Sequence, residues 1–301
     1  MSLPILLIHV QGSAVFKNFL KKPLGFKLAS FWLCSVLFIT VTYDLFPFVK
    51  WDRISDLSQG DGPFKVPGHI LGTSYDGLDM FTALMHGARM SAFVAVVSVV
   101  IGGGIGSILG ITAAYYRGTY DKVLSSMFNM MLAIPNLVMS LALISVLANG
   151  NNNHPATNTR RLIVLTISLT IVIIPILGRI ARSSTLQWSS REFVLASKSI
   201  GTKNLRIIKT HIVPNVAPAI LAIGFFAVGV VMIAEGSLSI LGIGIPGGAS
   251  WGSLLAIGRA NLEYAPHEVY LPVLCIAFTV ISTNYFGDYI RANLDKRESK
   301  I

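Results

Sequence analysis

The stretch REFVLASKSIGTKNLRIIKTHIVPN, residues 191–215, places five basic residues and one acidic residue between two long apolar runs. The Ser-x-x-Glu pattern at 189–192 has the form of a capping box and predicts the start of a helix. Gly201 can end that helix in a left-handed conformation. Thr202 can cap a second helix over Lys203–Ile212, before Pro214. The pattern therefore predicts two short helices with a sharp turn between them.

The first of these helices has a recognisable face. Phe193, Ala196, Ser197 and Ile200 recur at i, i+3, i+4 and i+7, which is one side of a helix. The small side chains of Ala196 and Ser197 would allow close approach by a partner protein. A basic segment lying on anionic lipid is the alternative interpretation, and periodicity alone does not distinguish the two.

The composition around this stretch is that of an integral membrane protein. Mean hydropathy is +0.66, with 53% hydrophobic and 13% charged residues, against about 25% charged in soluble domains. The net charge of +10 indicates basic residues held on the cytoplasmic side of a membrane, with no nucleic-acid partner. The sequence predicts an all-α protein with six transmembrane helices: Leu28–Val49, Ser91–Tyr115, Met127–Ala148, Leu162–Ile180, Val216–Leu241 and Val269–Tyr289.

The distribution of basic residues predicts the orientation. With the N-terminus cytoplasmic, 17 of the 24 Lys and Arg residues lie inside, so both termini are predicted to be cytoplasmic. Arg160 and Arg161 alone run against this assignment locally. The predicted organisation is a cytoplasmic arm 1–27, a first span 28–49, an outer loop 50–90, a transmembrane domain 91–289 containing the cytoplasmic loop 189–214, and a cytoplasmic tail 290–301.

Three residues are candidates for the translocation pathway. Glu235 lies in an apolar run, where an ionisable side chain is a functional hypothesis by default. Its alternatives are an ion pair with a partner subunit or a cap on the turn at 237–242. Asn129 and Met131 are further pathway candidates, and Pro135 is expected to kink the third span.

A glycine stripe in the second span predicts close helix packing. Its members recur every four residues and leave room for the backbone of a neighbouring helix. They are Gly102, Gly106 and Gly110.

These motifs resemble those of ABC-transporter permease subunits. Residues 195–214 resemble the EAA loop, with Gly201 at the family's spacing, although Leu195-Ala196-Ser197 replaces Glu-Ala-Ala. The blocks HILGTSYDGLDMFTALMHGARMS (69–91), LAIPNLVMSLAL (132–143), EGSLSILGIGIPGGASWGSLL (235–255) and YFGDYIRANLDKR (285–297) resemble the C-type permease of dipeptide, oligopeptide and nickel importers.

The resemblance implies a type I importer permease in a bacterial or archaeal cytoplasmic membrane, without a catalytic site or metal of its own. ATP and Mg would be bound by one or two cytoplasmic ATP-binding subunits. Further partners would be a second, B-type permease and an extracytoplasmic solute-binding protein. The resemblance assigns ATPase coupling to Glu192, Phe193, Leu195, Ala196, Ser197, Ile200, Gly201 and Pro214.

Departures from the family pattern bear on the cargo. Ser74, Leu78, Ala83 and Asn129 replace charged residues that are common in the family, which leaves peptides, nickel or another small solute open.

Two other classes of membrane protein fit the sequence less well. A secondary transporter is disfavoured because the chain shows no matching halves. An intramembrane serine protease would pair Ser250 with His267, and both would have to lie at membrane depth.

Overall fold

The structure is a computed structural model that describes residues 22–43, 60–148, 158–245 and 250–298. Helices dominate this part of the chain, and pairing of extended backbone is confined there to two isolated bridges, Val66–His69 and Thr73–Asp79. The helices are α1 Leu24–Thr42, α2 Met80–Tyr116, α3 Gly118–Ala133, α4 Asn136–Ala148, α5 Asn158–Ser189, α6 Glu192–Ser199, α7 Asn204–Ile207, α8 Val213–Ile240, α9 Trp251–Ala260 and α10 His267–Glu298.

Within these ranges, five helical segments are long and apolar enough to cross a membrane. They are Leu24–Thr42, Met80–Tyr116, Asn158–Ser189, Asn204–Ile240 and His267–Ala292. The pair α3 and α4 supplies a sixth if both halves together form one span. The prediction of an all-α membrane protein is confirmed. The end of the predicted first span, beyond residue 43, lies outside the described residues.

The third predicted span was wrong in form. It is two helices bent by 94°, and it begins at Gly118 rather than at Met127. Pro135 has no amide hydrogen to donate and forces the residue before it out of the helical region. Ile134 accordingly has an extended ψ of 128°. The proline therefore breaks the helix, where a kink was predicted.

Other spans also extend past the bounds predicted from their apolar runs, since a helix need not end where its apolar run ends; α10, for example, continues to Glu298 rather than ending at Tyr289. α2 begins at Met80, where the Asp79 carboxylate accepts a hydrogen bond from the Thr82 amide at 3.0 Å. α5 runs on to Ser189, well past its apolar stretch.

The glycine stripe of α2 packs against the backbone of α5, as predicted. A Cβ on Gly102 would lie 2.5 Å from the Thr170 carbonyl oxygen. On Gly106 and Gly110 it would lie 2.2 Å from the carbonyl oxygens of Ile174 and Gly178. The two backbones touch here, so α2 and α5 form the rigid centre of the fold.

The loops gather at two opposite ends of this centre. At one end, His267 Nε2 lies 2.8 Å from the Thr73 carbonyl oxygen, and Glu268 accepts a hydrogen bond from the Tyr75 amide. At the other end, the Tyr115 hydroxyl donates to Asn204 Oδ1 at 3.0 Å. The fold thus separates the predicted outer loops from the basic segment 191–215.

Candidate functional site

The basic segment forms a helix, a tight turn and a second helix. α6 spans Glu192–Ser199 with Arg191 at its N-cap in an extended conformation and without a side-chain cap. The predicted capping box was wrong because α5 continues through Ser189. The Ser189 hydroxyl instead bonds back to the Leu186 carbonyl at 3.1 Å.

The turn after α6 is a Schellman motif. The Gly201 amide donates to the Lys198 carbonyl at 3.0 Å and the Thr202 amide to the Ser197 carbonyl at 3.1 Å. Gly201 has φ +77°, the left-handed conformation that a side chain disfavours. A Cβ there would meet nothing within 4 Å, so the need for glycine is conformational and not steric.

The second helix of the segment does not stop before Pro214. α7 passes through a π-helical turn, Ile208–Ile212, directly into α8, and the cap of α7 is Lys203 rather than the predicted Thr202. Pro214 follows this π-helical turn and lies within the continuous helical segment Asn204–Ile240. The segment is therefore a rigid extension of a membrane span, where a separate helix was predicted.

An apolar seat holds the segment against the spans. Val194, which was not among the predicted site residues, is fully buried and anchors α6 in the seat. The sequence did not distinguish it from Leu195, since both are apolar residues of α6 outside the predicted face. The seat consists of Ile111, Tyr115, Ala181, Val194, Ile207, Ile208, Ile212 and Val216.

The opposite side of α6 is an exposed apolar patch. Ile200 is 81% exposed, and Phe193 and Leu195 are 41% and 50% exposed. Ala196 is exposed among them, while Ser197 is half-buried and its hydroxyl lies 3.2 Å from His211 Nε2. We call Phe193, Leu195, Ala196 and Ile200 the coupling patch.

Basic side chains surround the coupling patch. The Lys198 ammonium lies 4.8 Å from the Tyr115 ring centroid, and the Arg191 guanidinium lies 5.4 Å from that of Trp188. Glu192 and Pro214 are also exposed. A small apolar patch with a charged rim is the composition of a protein-docking surface.

Glu235 lies inside the chain, 1% exposed. The hydroxyls of Ser250 and Ser239 donate to its Oε1 at 2.6 and 3.1 Å, and the Ser91 hydroxyl lies 3.4 Å from Oε2. The Gly252 amide also bonds to the carboxylate. One side chain of α8 thus joins α2, α8 and the N-terminus of α9.

The surroundings of Glu235 could be read only in part from the sequence. Ser239 stands one helical turn away and is visible from its spacing. Ser91 is 144 residues distant in the chain, and Ser250 follows a loop. The carboxylate is thus placed at the N-terminus of α9, where a negative charge is favoured. The turn at 237–242, named in the sequence analysis, contributes only the Ser239 hydroxyl.

We expect Glu235→Gln to lower the thermal unfolding midpoint of the purified chain in detergent. A neutral amide forms weaker hydrogen bonds than a carboxylate, whose bonds contribute about 1.5–3 kcal/mol each, and it loses the favourable interaction of a negative charge with the N-terminus of α9. Glu263→Gln, at an exposed position, is the matched control. An unchanged midpoint for Glu235→Gln would show that the network does not hold α9, and would return Glu235 to the pathway hypothesis.

Asn129 and Met131 lie elsewhere, on α3 just before the bend. Asn129 is exposed and Met131 is half-buried. They are on a different helix from Glu235, and their pathway role stays a prediction.

An ion pair that the sequence analysis missed joins α3 to α5. Arg182 Nε donates to Asp121 Oδ1 at 2.6 Å, and a second guanidinium nitrogen donates to Oδ2 at 2.8 Å. The partners are 61 residues apart in the chain, so no local pattern pairs them.

The serine–histidine pair of the protease hypothesis is not formed. Ser250 donates to Glu235 and caps α9, while the His267 ring contacts the Thr73 carbonyl.

Comparisons with known proteins agree with this arrangement. The chain is 28% identical over 256 residues to the glutathione transport system permease protein GsiD of Pectobacterium atrosepticum, covering 85% of this chain and 79% of the relative. It is 33% identical over 233 residues to the dipeptide transport system permease protein DppC of Alkalihalophilus pseudofirmus, covering 76% and 72%.

A solved structure shares the fold. The inward-facing MetNI methionine ABC transporter matches with a TM-score of 0.58 at 16% identity, over 71% of this chain and 97% of the matched chain. The sequence model of binding-protein-dependent transport system inner membrane components matches residues 106–300. The chain therefore belongs to that family and is a membrane permease subunit of an ABC importer.

Proposed function

We propose that the chain forms half of the translocation pathway of an ATP-driven peptide importer. The names of its relatives support the cargo, since they include a glutathione permease and a dipeptide permease. The coupling patch supports the proposal that transport is driven by ATP hydrolysis on a partner subunit, and it is the observation that carries the proposal. It is apolar, exposed and fixed to three membrane helices through the seat.

The coupling step follows from this geometry. A cytoplasmic ATP-binding subunit docks on the coupling patch and moves it when ATP is bound. Because Val194 is locked in the seat and α7 is continuous with α8, displacement of the patch reaches the spans without a flexible link. ATP and Mg stay on the partner, and this chain contributes the moving pathway.

The proposed setting is a bacterial or archaeal inner membrane, with the coupling patch on the cytoplasmic side. The further partners are a second, B-type permease and an extracytoplasmic solute-binding protein.

In a Cys34→Ser, Cys275→Ser background, Lys65→Cys is expected to react with an impermeant maleimide in intact cells, and Lys203→Cys only after lysis. Both side chains are exposed. Labelling of Lys203→Cys in intact cells would reverse the orientation.

The cargo is tested in proteoliposomes that contain the two permeases and the ATP-binding subunits encoded beside this chain, with their binding protein added. We expect ATP-dependent uptake of a labelled dipeptide or of glutathione. Uptake of Ni²⁺ in place of either peptide would overturn the peptide assignment while keeping the ABC importer.

A further inference from the structure

The Asp121–Arg182 pair lies between two parts of the molecule that the proposed function requires to move together. Asp121 is in the first turn of α3, the helix that carries Asn129 and Met131. Arg182 is on α5, the helix that leads into α6. The side chains are only 14% and 29% exposed. Their two parallel hydrogen bonds fix orientation as well as distance.

Arg182 also stands directly beside the seat. Its neighbour Ala181 is fully buried there with Val194 of α6. Successive residues of a helix point about 100° apart. One turn of α5 therefore contacts the coupling segment on one side and α3 on another.

Apart from this pair, the core contacts of α3 are apolar. Leu124 and Phe128 pack against α2 and α5, and the Phe128 ring covers Gly178, where a Cβ would lie 2.6 Å from it. Apolar contacts are less directional than two parallel hydrogen bonds between charged groups. Because α3 ends at the 94° bend, no straight continuation into α4 fixes it. The directional contacts of α3 include the ion pair to α5 and, at an exposed position, the Tyr120 hydroxyl, which lies 3.2 Å from the Thr112 hydroxyl of α2.

We propose that Asp121 and Arg182 are positioning residues that tie α3 to the coupling segment. Movement of α6 by an ATP-binding subunit then reaches the side chains of α3 that are candidates for the pathway. The inference rests on the proposed function. It predicts that a broken pair leaves the ATP-binding subunits able to move α6 through the seat, while α3 no longer follows.

The test measures two quantities in the same proteoliposomes: ATP hydrolysis stimulated by peptide-loaded binding protein, and peptide uptake. In Asp121→Asn and Arg182→Gln we expect stimulated hydrolysis to persist while uptake per ATP falls by about 2- to 30-fold, the range of single-residue effects on coupling. Lys122→Gln and Arg179→Gln remove a charge from an adjacent exposed position on α3 and a nearby one on α5. They are expected to keep the wild-type ratio.

Each single change leaves one charge without its partner, which can destabilise the fold. Two double variants therefore separate an effect on coupling from an effect on folding. Asp121→Asn with Arg182→Gln removes both charges and is expected to assemble and to remain uncoupled. Asp121→Arg with Arg182→Asp restores an ion pair in the reverse orientation and is expected to regain part of the lost uptake per ATP. Recovery is expected to be partial because Arg117, one turn from position 121, would repel the new arginine.

Three outcomes would overturn the inference. Uptake and hydrolysis could fall in equal proportion, the neutral double variant could transport at the wild-type ATP cost, or neither the single variants nor the neutral one could assemble. The last result would make the pair structural only. Failure of the proposed function is distinct, since wild-type proteoliposomes would then show no peptide uptake.

Discussion

Replacing Gly106 by leucine is expected to abolish accumulation of the folded chain. The first carbon of the new side chain would lie 2.2 Å from the Ile174 carbonyl oxygen and 3.0 Å from the Gly178 amide nitrogen. These are backbone atoms that cannot rotate away, so α2 and α5 would have to separate. Overpacking a core costs about 1–3 kcal/mol where side chains can yield, and we expect more here.

Gly104→Leu is the matched control. It lies in the same helix, two residues away, and a Cβ there meets nothing within 4 Å. The measurement is the amount of monodisperse chain recovered in mild detergent after expression at equal level. Equal recovery of the Gly106 and Gly104 variants would contradict the packing of α2 on α5.

Gly201→Val and Ala196→Trp are expected to abolish stimulated ATP hydrolysis and transport together. Valine at φ +77° is strained by about 1–2 kcal/mol, and relief of that strain re-aims α6. Tryptophan at position 196 adds a large side chain to the exposed coupling patch, on the side of α6 away from the buried Val194. Neither change lies in a predicted span, so insertion and assembly with the partner permease are expected to be normal.

The measurement for both variants is ATP hydrolysis by the reconstituted complex with and without loaded binding protein. Ser199→Ala, an exposed α6 position outside the coupling patch, is the control. Wild-type stimulation in both variants would show that residues 191–214 do not couple. A loss of both activities here contrasts with the loss of uptake alone that is expected for Asp121→Asn.

Local structure could be predicted from the sequence. The turn at Gly201 and the exposure of Phe193, Ala196 and Ile200 follow from spacing within one helix and its cap. The stripe at Gly102, Gly106 and Gly110 names a packing face, although not the partner helix. These features depend on residues a few positions apart, which is the distance over which periodicity carries information.

Competition between neighbouring elements could not be predicted. The Ser-x-x-Glu pattern at 189–192 failed as a cap because α5 uses Ser189 for its own last turn. The proline pattern at 135 indicated a disturbance but not its angle of 94°. Both outcomes depend on how far an adjacent helix extends, which tertiary packing decides.

Long-range polar contacts were likewise out of reach. The Glu235 network and the Asp121–Arg182 pair bring together residues 144 and 61 positions apart. The sequence identified Glu235 as an unusual residue in an apolar run. It did not identify the serines that bond to it or the guanidinium that fixes α3.

Photo-crosslinking from position 200 tests the central claim most directly. Ile200 is 81% exposed at the end of the coupling patch, and Leu221, 57% exposed within the α8 span, is the control position. A benzophenone amino acid at position 200 of the assembled complex is predicted to yield an adduct with an ATP-binding subunit, whereas the same group at position 221 yields none. Absence of that adduct from position 200, while the ATP-binding subunits co-purify, would contradict the account.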